Sequence, residues 1–394
     1  MDNPHTIYLD HAATTPLHEG ALAAMLPFLA DPCLQANPSA SRHGPGQRAG
    51  EAIDCARRQV AGLIGANPGE IVFTSGATEA NNHALRGLAG GVPLIVTGAT
   101  EHASVLETAR ALAAAGVVEH HTVAPSETGQ VTAEAVAQAL AGVPGPALVS
   151  VMMANNETGL LNPVAAIGRV ARDAGAFFHV DATQAVGKVP VAVAALGADL
   201  VSFSAHKFYG PKGIGALWLG SRVREIAPLM TGGDQQGGIR AGTLPTHQIV
   251  GMGAAAALAR EELDQRREHV EALASLLLFE LRADLPDLVL HGEGSRVPGV
   301  FNCAFPGCDA QALMAQLPDV AVSSGSACHT GSVEPSHVLT AMGVSADLAR
   351  GSLRFSLGRH NSREAVLTAA QRIAEAVERT SAAAGGGVAM DLAF

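Results

Sequence analysis

The sequence predicts an α/β protein with a mostly parallel central sheet, helices on both faces and an added smaller α+β domain. Three observations support this prediction. At 394 residues the chain is longer than most single-core domains. Hydrophobic residues make up 48% and aromatic residues only 4%, which indicates an aliphatic core of helices layered on a buried parallel sheet. Apolar, β-rich runs alternate with helical patterns over roughly the first 220 residues, as in βαβ units.

The alternation also places the individual elements of the larger domain. Strands are predicted near residues 70–74, 93–97, 147–153, 176–180, 199–203 and 214–219. Helices are predicted near residues 47–64, 78–89, 104–115, 133–140 and 164–174. Because parallel strands need crossover connections, and these are usually helical, this order predicts a parallel sheet covered by helices.

The remainder of the chain has a different pattern. A long helix is predicted over about 248–282, followed by an α+β region in which residues 299–305 form a strand. The Ala- and Gly-rich tail at 381–388 is expected to be loose. We predict a large ligand-binding domain over residues 15–260, and a small domain from residues 1–14 and 261–394. The small domain is expected to carry a mobile segment at about 323–333.

Charge and composition exclude several classes of protein. The net charge of −11 is spread along the chain, which argues against a nucleic-acid surface. No run approaches the ~18 apolar residues of a membrane span, and residues 1–10 do not resemble a targeting signal. Five cysteines are too few for a disulfide framework, and their odd number fits a reducing compartment. We expect a cytoplasmic protein that binds neither nucleic acid nor membrane.

Lysine is rare in this sequence. The chain has three lysines, Lys188, Lys207 and Lys212, and 22 arginines. A general bias toward Arg explains most of this difference. Arg stays protonated, however, whereas Lys can lose its proton and form an imine, so a remaining Lys is a candidate for a task that Arg cannot perform. Lys212 is expected to be a solvated surface charge.

Small and polar residues follow five of the predicted strands at their carboxyl ends. They are Ser75, Gly76, Ala77 and Thr78; Glu101 and His102; Asn155, Asn156 and Glu157; Asp181 and Gln184; and Ser204, Ala205, His206 and Lys207. In open α/β sheets, ligands bind beyond the carboxyl ends of the strands. The sequence therefore predicts one ligand site at this edge.

Residue types at this edge suit a phosphorylated, pyridine-containing cofactor. The strand–turn–helix at 73–79 can bind a phosphate through free N–H groups and the Thr78 hydroxyl, although by itself it also fits a plain capped turn. Asp181 ends an apolar strand, where a carboxylate is costly to bury unless it meets a cation such as a pyridinium nitrogen. The alternative interpretation is that Asp181 caps a helix. Gln184 is a candidate hydrogen-bond donor to the phenolic oxygen of such a cofactor. Ser204 and His206 are candidate contacts of its phosphate.

Lys207 is the candidate imine former, because it directly follows a buried strand and desolvation lowers an amine pKa from ~10.4. His102 is a candidate for ring stacking and proton transfer, or else a hydrogen-bonded structural residue. Cys328 lies among small polar residues, where a thiol is poorly placed for core packing. Its thiolate is a small fraction at neutral pH, so His329 or the site must assist it.

Arg354 interrupts an apolar alternation, and its planar fork fits an amino-acid carboxylate. A structural ion pair is the alternative, and it suits Arg359 better. Structural roles are assigned to the other four cysteines, which are Cys33, Cys55, Cys303 and Cys308. A second pair of ligands that would complete a zinc site is missing beside them.

Together these segments resemble the cysteine desulfurases of the class V aminotransferase-like pyridoxal-phosphate (PLP) family, in particular its NifS/IscS-like group. The similarity runs in order over nearly the whole chain. The segments are 9–16 (LDHAATTP), 74–79 (TSGATE), 100–102 (TEH), 155–159 (NNETG), 179–184 (HVDATQ), 206–213 (HKFYGPKG), 240–243 (RAGT) and 323–328 (SSGSAC). The resemblance implies the fold type I of PLP-dependent transferases, with PLP bound by the large domain.

The resemblance also implies roles for individual residues. Lys207 would bind PLP covalently, and Asp181 would pair with the pyridine nitrogen. Gln184 would contact the phenolic oxygen, and His102 would stack on the ring. The phosphate would be held by Ala77, Thr78, Ser204 and His206.

Further implied contacts involve the substrate and a second subunit. Asn156, beside the cofactor, and Arg354 would bind the substrate carboxylate. Thr243 would reach the phosphate in the partner subunit, which implies a homodimer with shared sites. L-Cysteine would become alanine, with Lys207 moving the α-proton and Cys328 receiving the sulfur as a persulfide. An iron–sulfur scaffold or another acceptor protein would then take this sulfur.

Two positions depart from the family pattern, and three other functions stay open. Ala205 replaces a usual Gly, and Asp234-Gln235-Gln236 replaces Gly-Gln-Glu in the subunit-contact segment. The tail after Thr380 is shorter than in relatives that dock a scaffold there. The alternative functions are a selenocysteine lyase, a class V aminotransferase, and a regulatory or scaffold protein without catalysis.

Overall fold

The structure is a computed structural model that describes residues 6–143, 145–324 and 335–386, with side chains as far as residue 381. Its strands are β1 (Ile7–Tyr8), β2 (Ile71–Thr74), β3 (Leu94–Gly98), β4 (Glu119–Val123), β5 (Ala147–Ser150), β6 (Phe177–Asp181), β7 (Leu200–Ser204), β8 (Gly215–Leu219), β9 (Val289–Leu290), β10 (Val300–Ala304), β11 (Val320–Ala321) and β12 (Ser352–Ser356). Its helices are α1 (Glu19–Ala30), α2 (Gly44–Ile64), α3 (Ala77–Ala89), α4 (Ala103–Ala114), α5 (Ala133–Leu140), α6 (Val164–Asp173), α7 (Val193–Leu196), α8 (Thr246–Glu261), α9 (Leu263–Asp284), α10 (Ala310–Ala315), α11 (His337–Ala341), α12 (Ala346–Arg350) and α13 (Arg363–Gly386).

A seven-stranded sheet forms the centre of the larger part, in the order β2-β8-β7-β6-β5-β3-β4. The pairs from β7 to β4 are all parallel, and only β8 runs antiparallel to its neighbours β2 and β7. The predicted strands are all present. Strand β4 was not predicted, because only Val123 of this polar edge strand is buried and no apolar run marks it.

Helices cover both faces of this sheet, as predicted. Successive strand residues point to opposite faces. Val96 and Val149 pack in one hydrophobic cluster with residues of α2, α5, α6 and α8. Ile95 and Leu148, their immediate neighbours in sequence, pack in another cluster with residues of α3 and α4. The strands are therefore buried on both sides, which explains their continuous apolar runs.

A smaller antiparallel sheet places β10 between β12 and β9. Its own core includes Leu277 of α9, Phe301, Phe355 and Ile373 of α13, and it also takes in Leu9 from the start of the chain. This confirms an α+β region beside the main sheet. The exact domain boundaries at residues 14–15 and 260–261 stay a prediction, supported by the separate core.

Two predictions about helices were wrong. The single helix predicted over 248–282 is two helices, α8 and α9, which meet at Glu262. Its ψ of 5° is far from the helical value of about −42°, so the backbone departs from helical geometry at this residue. The tail expected to be loose from residue 381 is helical as far as Gly386, because alanine favours helix. The last residues of that predicted tail lie outside the described residues.

None of the helices in the described ranges combines the length and the apolar character needed to cross a membrane.

Candidate active site

The carboxyl ends of the parallel strands open into one cavity of about 620 Å³. Its lining contains these predicted residues: Ser75, Gly76, Ala77, Thr78, His102, Asn156, Asp181, Gln184, Ser204, His206, Lys207 and Arg354. It also contains residues that were not predicted as part of the site, among them Ala12, Ala13, Thr14, Asn81, Ser104, Met152 and Thr183. Lys212, expected to be a surface charge, is exposed and lies at the rim.

Four residues of the predicted edge do not line the cavity, namely Glu101, Asn155, Glu157 and Ala205. Glu101 is fully buried and accepts a hydrogen bond from Met152 N at 2.8 Å, and burial raises its pKa well above the usual range. Asn155 Oδ1 accepts bonds from the backbone N–H groups of Glu157 and Thr158. These side chains shape the loops that carry the neighbouring cavity residues.

The turn between β2 and α3 forms a cradle for an anion. Gly76 is the N-cap of α3 with φ of +154°, and no side chain caps the helix. A Cβ on Gly215, the neighbouring residue of β8, would lie 2.7 Å from Gly76 Cα, so both positions need glycine. The N–H groups of the first helical turn have no intrahelical acceptor and, with the helix dipole, favour a phosphate.

Asp181 ends β6 at the floor of the cavity and is 5% exposed. Its Oδ2 accepts a bond from Asn81 Nδ2 at 2.8 Å, and its Oδ1 accepts one from Thr183 N at 2.9 Å. Both bonds are donated to the carboxylate, so both of its oxygens are held in place. A fixed carboxylate at this depth is the partner that a protonated ring nitrogen requires.

His102 caps α4 and is joined to Asp181 through two further side chains. Its Nδ1 accepts a bond from Ser104 N at 3.1 Å, and Asn81 Nδ2 donates to Ser104 Oγ at 2.9 Å. Burial lowers the pKa of His102, and Lys207 and His337 lower it further, against an opposing contribution from the Asp181 charge. The ring is therefore neutral at pH 7, and because Nδ1 is an acceptor, its proton lies on Nε2.

Sequence reasoning missed Asn81 and Ser104 as parts of the site. Asn81 is wholly buried on the same side of α3 as Ala84, Leu85 and Leu88. A polar residue in such an apolar stripe was the signal that could have found it.

Lys207 ends the short turn Ala205–Lys207 that follows β7. Its Nζ donates to the carbonyl oxygens of Ala12 and Ala13, each at 2.7 Å, so the segment after β1 lies over the amine. Ala205, which replaces the usual glycine, is fully buried and keeps an ordinary negative φ. This departure is therefore accommodated without backbone strain.

The next residues hold Lys207 in place. Tyr209 adopts a left-handed φ of 68°, which is strained for a non-glycine residue. The guanidinium of Arg266 stacks on its ring, and Thr15 Oγ1 accepts a bond from its N–H at 2.7 Å. His206 Nδ1 lies 3.1 Å from Thr14 Oγ1, and burial lowers the pKa of His206 to about 4. The imidazole is therefore neutral at pH 7.

Arg354 enters the cavity from β12. Its NH2 lies 2.7 Å from Asp10 Oδ1, and its NH1 donates to Asn156 O at 2.8 Å. Its Nε has no hydrogen-bond partner among the described residues, and neither does Asn156 Oδ1. Arg354 therefore forms the structural ion pair, and one of its donors is buried without a partner among the described residues. Arg359 instead pairs with exposed Glu19.

One predicted binding residue lies elsewhere on the chain. Thr243 is exposed and does not contact the cavity of its own chain. Its segment is anchored to the sheet, since Gln236 bonds to both the N–H and the C=O of Phe73, at 2.7 and 2.8 Å. Arg240 also pairs with Glu79 in the first turn of α3. The departure at 234–236 thus retains an anchor beside the phosphate cradle.

Cys328 lies outside the described residues, as does His329. The described residues on either side of that gap do meet the cavity walls. Ser323 forms a β-bridge with Arg354. Beyond the gap, Ser336 Oγ donates to Glu157 Oε2 at 2.5 Å, and His337 Nε2 lies 2.9 Å from Glu101 O.

The remaining cysteines show no sign of a metal site. Cys33 and Cys55 are exposed, and Cys303 and Cys308 are buried. Burial raises the pKa of the Cys303 thiol far above its usual value, so this thiol is inert. Within the described parts of the chain, no three potential ligands are grouped to hold a metal.

Comparison with known proteins agrees with this geometry. The model of the aminotransferase class-V family matches residues 7–368. The chain belongs to the class-V aminotransferase family. Members use pyridoxal 5′-phosphate, so the fold class, the family and the cofactor predicted from the sequence are confirmed.

Several relatives carry a more specific name. A cysteine desulfurase IscS from Anaeromyxobacter dehalogenans is 47% identical over 380 residues, covering 95% of this chain and 93% of that protein. The solved structure of a NifS-like protein matches with a TM-score of 0.87 and 33% identity, covering 95% of this chain and all of that one. A structure described as SspA in complex with cysteine matches with a TM-score of 0.75 and 36% identity, covering 91% and 100%.

Proposed function

We propose that this class-V protein is a PLP-dependent cysteine desulfurase, which converts L-cysteine to L-alanine and transfers the sulfur to Cys328 as a persulfide. One observation carries the proposal. An amine, a buried carboxylate and an uncapped helix N-terminus line the same cavity as Arg354 and Asn156, two groups with free hydrogen-bonding atoms. Relatives of this family that cover nearly the whole chain are named cysteine desulfurases.

The lining residues fit each part of the cofactor. Lys207 is the amine for the aldehyde, Asp181 is the anion for the ring nitrogen, and the N–H groups at Gly76–Thr78 are donors for the phosphate. When bound, PLP supplies an electron sink for the bonds broken at the substrate α-carbon. Asp181 would hold a protonated ring nitrogen, and His102 would contact the ring from the cavity wall.

The chain's own groups then act on the substrate. The Arg354 guanidinium and the Nδ2 amide of Asn156, both in the cavity lining, bind the carboxylate of cysteine and orient it. Lys207 Nζ removes the proton from the α-carbon and returns it. Neutral His102, with its proton on Nε2, exchanges a proton with the substrate on the other side of the ring.

Sulfur transfer requires the thiolate of Cys328. The thiolate sulfur attacks the substrate sulfur, so an S–S bond forms and the substrate C–S bond breaks. The electron pair of the broken bond stays with the carbon, which takes up a proton and leaves as alanine. Cys328 follows Ser324 by four residues, which span at most about 14 Å. Ser323, which pairs with Arg354, therefore supports the reach of this thiol into the cavity.

We also propose a cytoplasmic homodimer in which Thr243 contacts the partner's cofactor phosphate. Helix α1 exposes Leu22, Leu26 and Leu29, which are 44%, 50% and 46% exposed and share one side of the helix. Met25 of the same helix contacts Gly251 of α8, the helix that follows Thr243. This apolar stripe supports an interface with a second copy, which sedimentation of the purified chain tests.

The sulfur acceptor is proposed to be an iron–sulfur scaffold protein. The relatives named IscS support this choice.

The decisive experiment replaces Cys328 by Ala. The variant is expected to keep the yellow absorbance of bound PLP and to release no sulfide, because the thiol acts after cofactor binding. Cys55→Ala, which removes an exposed thiol, is the control and should desulfurate normally. Mass spectrometry of the wild type after cysteine should find the extra sulfur on Cys328.

Two results would contradict the proposal. Normal desulfuration by Cys328→Ala would exclude the thiol as the sulfur acceptor. Failure of borohydride to fix PLP covalently on Lys207 would exclude the proposed attachment. A requirement for added keto acid would instead indicate an aminotransferase.

A further inference from the structure

Lys188, the third lysine of this arginine-rich chain, has no role in the function proposed above. It follows β6 by several residues, and its side chain is half-buried behind the cavity. Its Nζ donates to Gln184 Oε1 at 2.6 Å. The lysine therefore contacts a cavity residue from the side opposite the cofactor.

Gln184 connects Lys188 with Lys207. It is 6% exposed, and its Nε2 donates to Ala12 O at 2.8 Å. The same carbonyl oxygen accepts a bond from Lys207 Nζ at 2.7 Å. A hydrogen-bonded chain thus runs from Lys188 through Gln184 and Ala12 to Lys207.

The orientation of the Gln184 amide matters for cofactor binding. The two ends of the amide have nearly the same shape, but only the NH2 end donates a hydrogen bond. With Oε1 turned to Lys188 and one N–H on Ala12 O, the second N–H of Nε2 is available for the phenolic oxygen of PLP. A flipped amide would present an oxygen there, and two oxygens would repel each other.

The surroundings of Lys188 are closely packed on one side and positively charged on the other. Gly187, just before it, is so close to Phe208 that a Cβ would lie 2.5 Å from that side chain, so space is limited. A small cavity on the other side of Lys188 is lined by His11, Arg266 and Arg359. Burial, and then Lys207 and Arg354, lowers the pKa of Lys188 to about 7. A compact ammonium is tolerated here mainly through its bond to Gln184.

We infer that Lys188 is a positioning residue that holds the Gln184 amide with its Nε2 toward the phenolic oxygen of PLP. This inference rests on the proposed contact between Gln184 and that oxygen. Lys188 does not touch the cofactor or the substrate.

A double-mutant cycle on the full-length holoenzyme, without cysteine, tests the inference. The variants are Lys188→Met, Gln184→Ala and the double variant, and the measurements are the visible absorbance of bound PLP and its dissociation constant. Lys188→Met is expected to shift the band in the same direction as Gln184→Ala and to weaken PLP binding roughly three- to tenfold. In the double variant, the effect is expected to equal that of Gln184→Ala alone, because the lysine acts through the amide.

Lys188→Gln is the matched variant, because it removes the charge and keeps an N–H donor. Lys188→Gln is expected to keep most of the wild-type absorbance spectrum and PLP affinity. It also replaces Lys188→Met in the test if the methionine variant does not fold. Effects of Lys188→Met and Gln184→Ala that add in the double variant would overturn the inference. So would a Lys188→Met spectrum identical to that of the wild type. If the wild type itself has no visible band, the proposed function fails as a whole.

Discussion

The two sides of the cavity are built in different ways. On the cofactor side, Asp181 and the Gly76 cradle directly follow central strands, and both oxygens of Asp181 already accept hydrogen bonds. On the substrate side, Arg354 comes from the smaller sheet and pairs with Asp10, 344 residues away in sequence. There Arg354 Nε and Asn156 Oδ1 have no partner among the described residues.

This difference indicates that the cofactor side is preorganised, whereas the substrate side recognises its ligand by binding it. On the cofactor side, protein donors satisfy both carboxylate oxygens of Asp181, so the position of this carboxylate is set before any ligand arrives. The substrate side leaves polar atoms without partners inside the protein, which costs stability unless a ligand completes their bonds. A substrate carboxylate can accept from Arg354 Nε, whereas Asn156 Oδ1 is an acceptor and needs an N–H donor such as the substrate amino group.

The largest effect is expected on the cofactor side, from Asp181→Asn. The change keeps the shape of the side chain but removes the charge opposite the ring nitrogen. Removing one such electrostatic group costs about 10²- to 10³-fold in kcat. Alanine formation from cysteine, at equal PLP occupancy, measures it.

Asp199→Asn is the matched control for this change. Asp199 is also buried beside the sheet, but it accepts from Phe178 N and pairs with Arg222, away from the cavity. It should lower stability and leave kcat per folded site nearly unchanged. Equal losses of kcat in both variants would remove the special role of Asp181.

A smaller effect is expected on the substrate side, from Arg354→Lys. The planar fork is lost while the positive charge remains, and a hydrogen bond to a charged group is worth about 1.5–3 kcal/mol. We expect kcat/KM for cysteine to fall about 10- to 100-fold, with PLP absorbance retained. Steady-state kinetics measure this change.

Arg359→Lys provides the comparison, since Arg359 pairs with exposed Glu19 and does not line the cavity. Its kcat/KM should stay close to that of the wild type. If Arg354→Lys alters only thermal stability, Arg354 is a structural residue and the comparison between the two sides fails.

The smallest effect per residue concerns stability in acid, with one buried histidine in each sheet. His179 lies between Ser150 and Ser202 in the central sheet, and His291 contacts Ser352 in the smaller one. Burial lowers the pKa of each to about 4, from 6.5. Between these values the unfolded chain binds protons that the folded chain excludes. The free energy of unfolding therefore falls as the pH drops from 6.5 toward 4, and is unaffected by these groups above 6.5.

Replacing either histidine by Gln should flatten this dependence by up to about 1.4 kcal/mol per pH unit. Urea unfolding at several pH values between 4.5 and 7 measures the slope. An unchanged slope in one variant would show that the corresponding sheet opens to protons before it unfolds.

The cofactor side could be predicted from sequence because it depends on local pattern. Each catalytic or binding residue there follows an apolar strand, and the edge of a parallel sheet brings such positions together. Asn81 was not predicted as a site residue because its partner, Asp181, lies 100 residues away in sequence. Its only sequence signal was a polar side chain within an apolar stripe of α3. The break at Glu262 was also hidden, since the residues on both sides of it favour helix.

The sequence by itself determined the fold class, the family, the cofactor and the strand ends that carry Lys207 and Asp181. These follow from short-range periodicity and residue chemistry, which depend only on residues that are close together in the sequence. Only the tertiary structure decided that Ala12 lies over Lys207, that Arg354 pairs with Asp10, and that Gln184 bonds to Ala12. Such contacts join distant segments, and their distances depend on how the whole core packs.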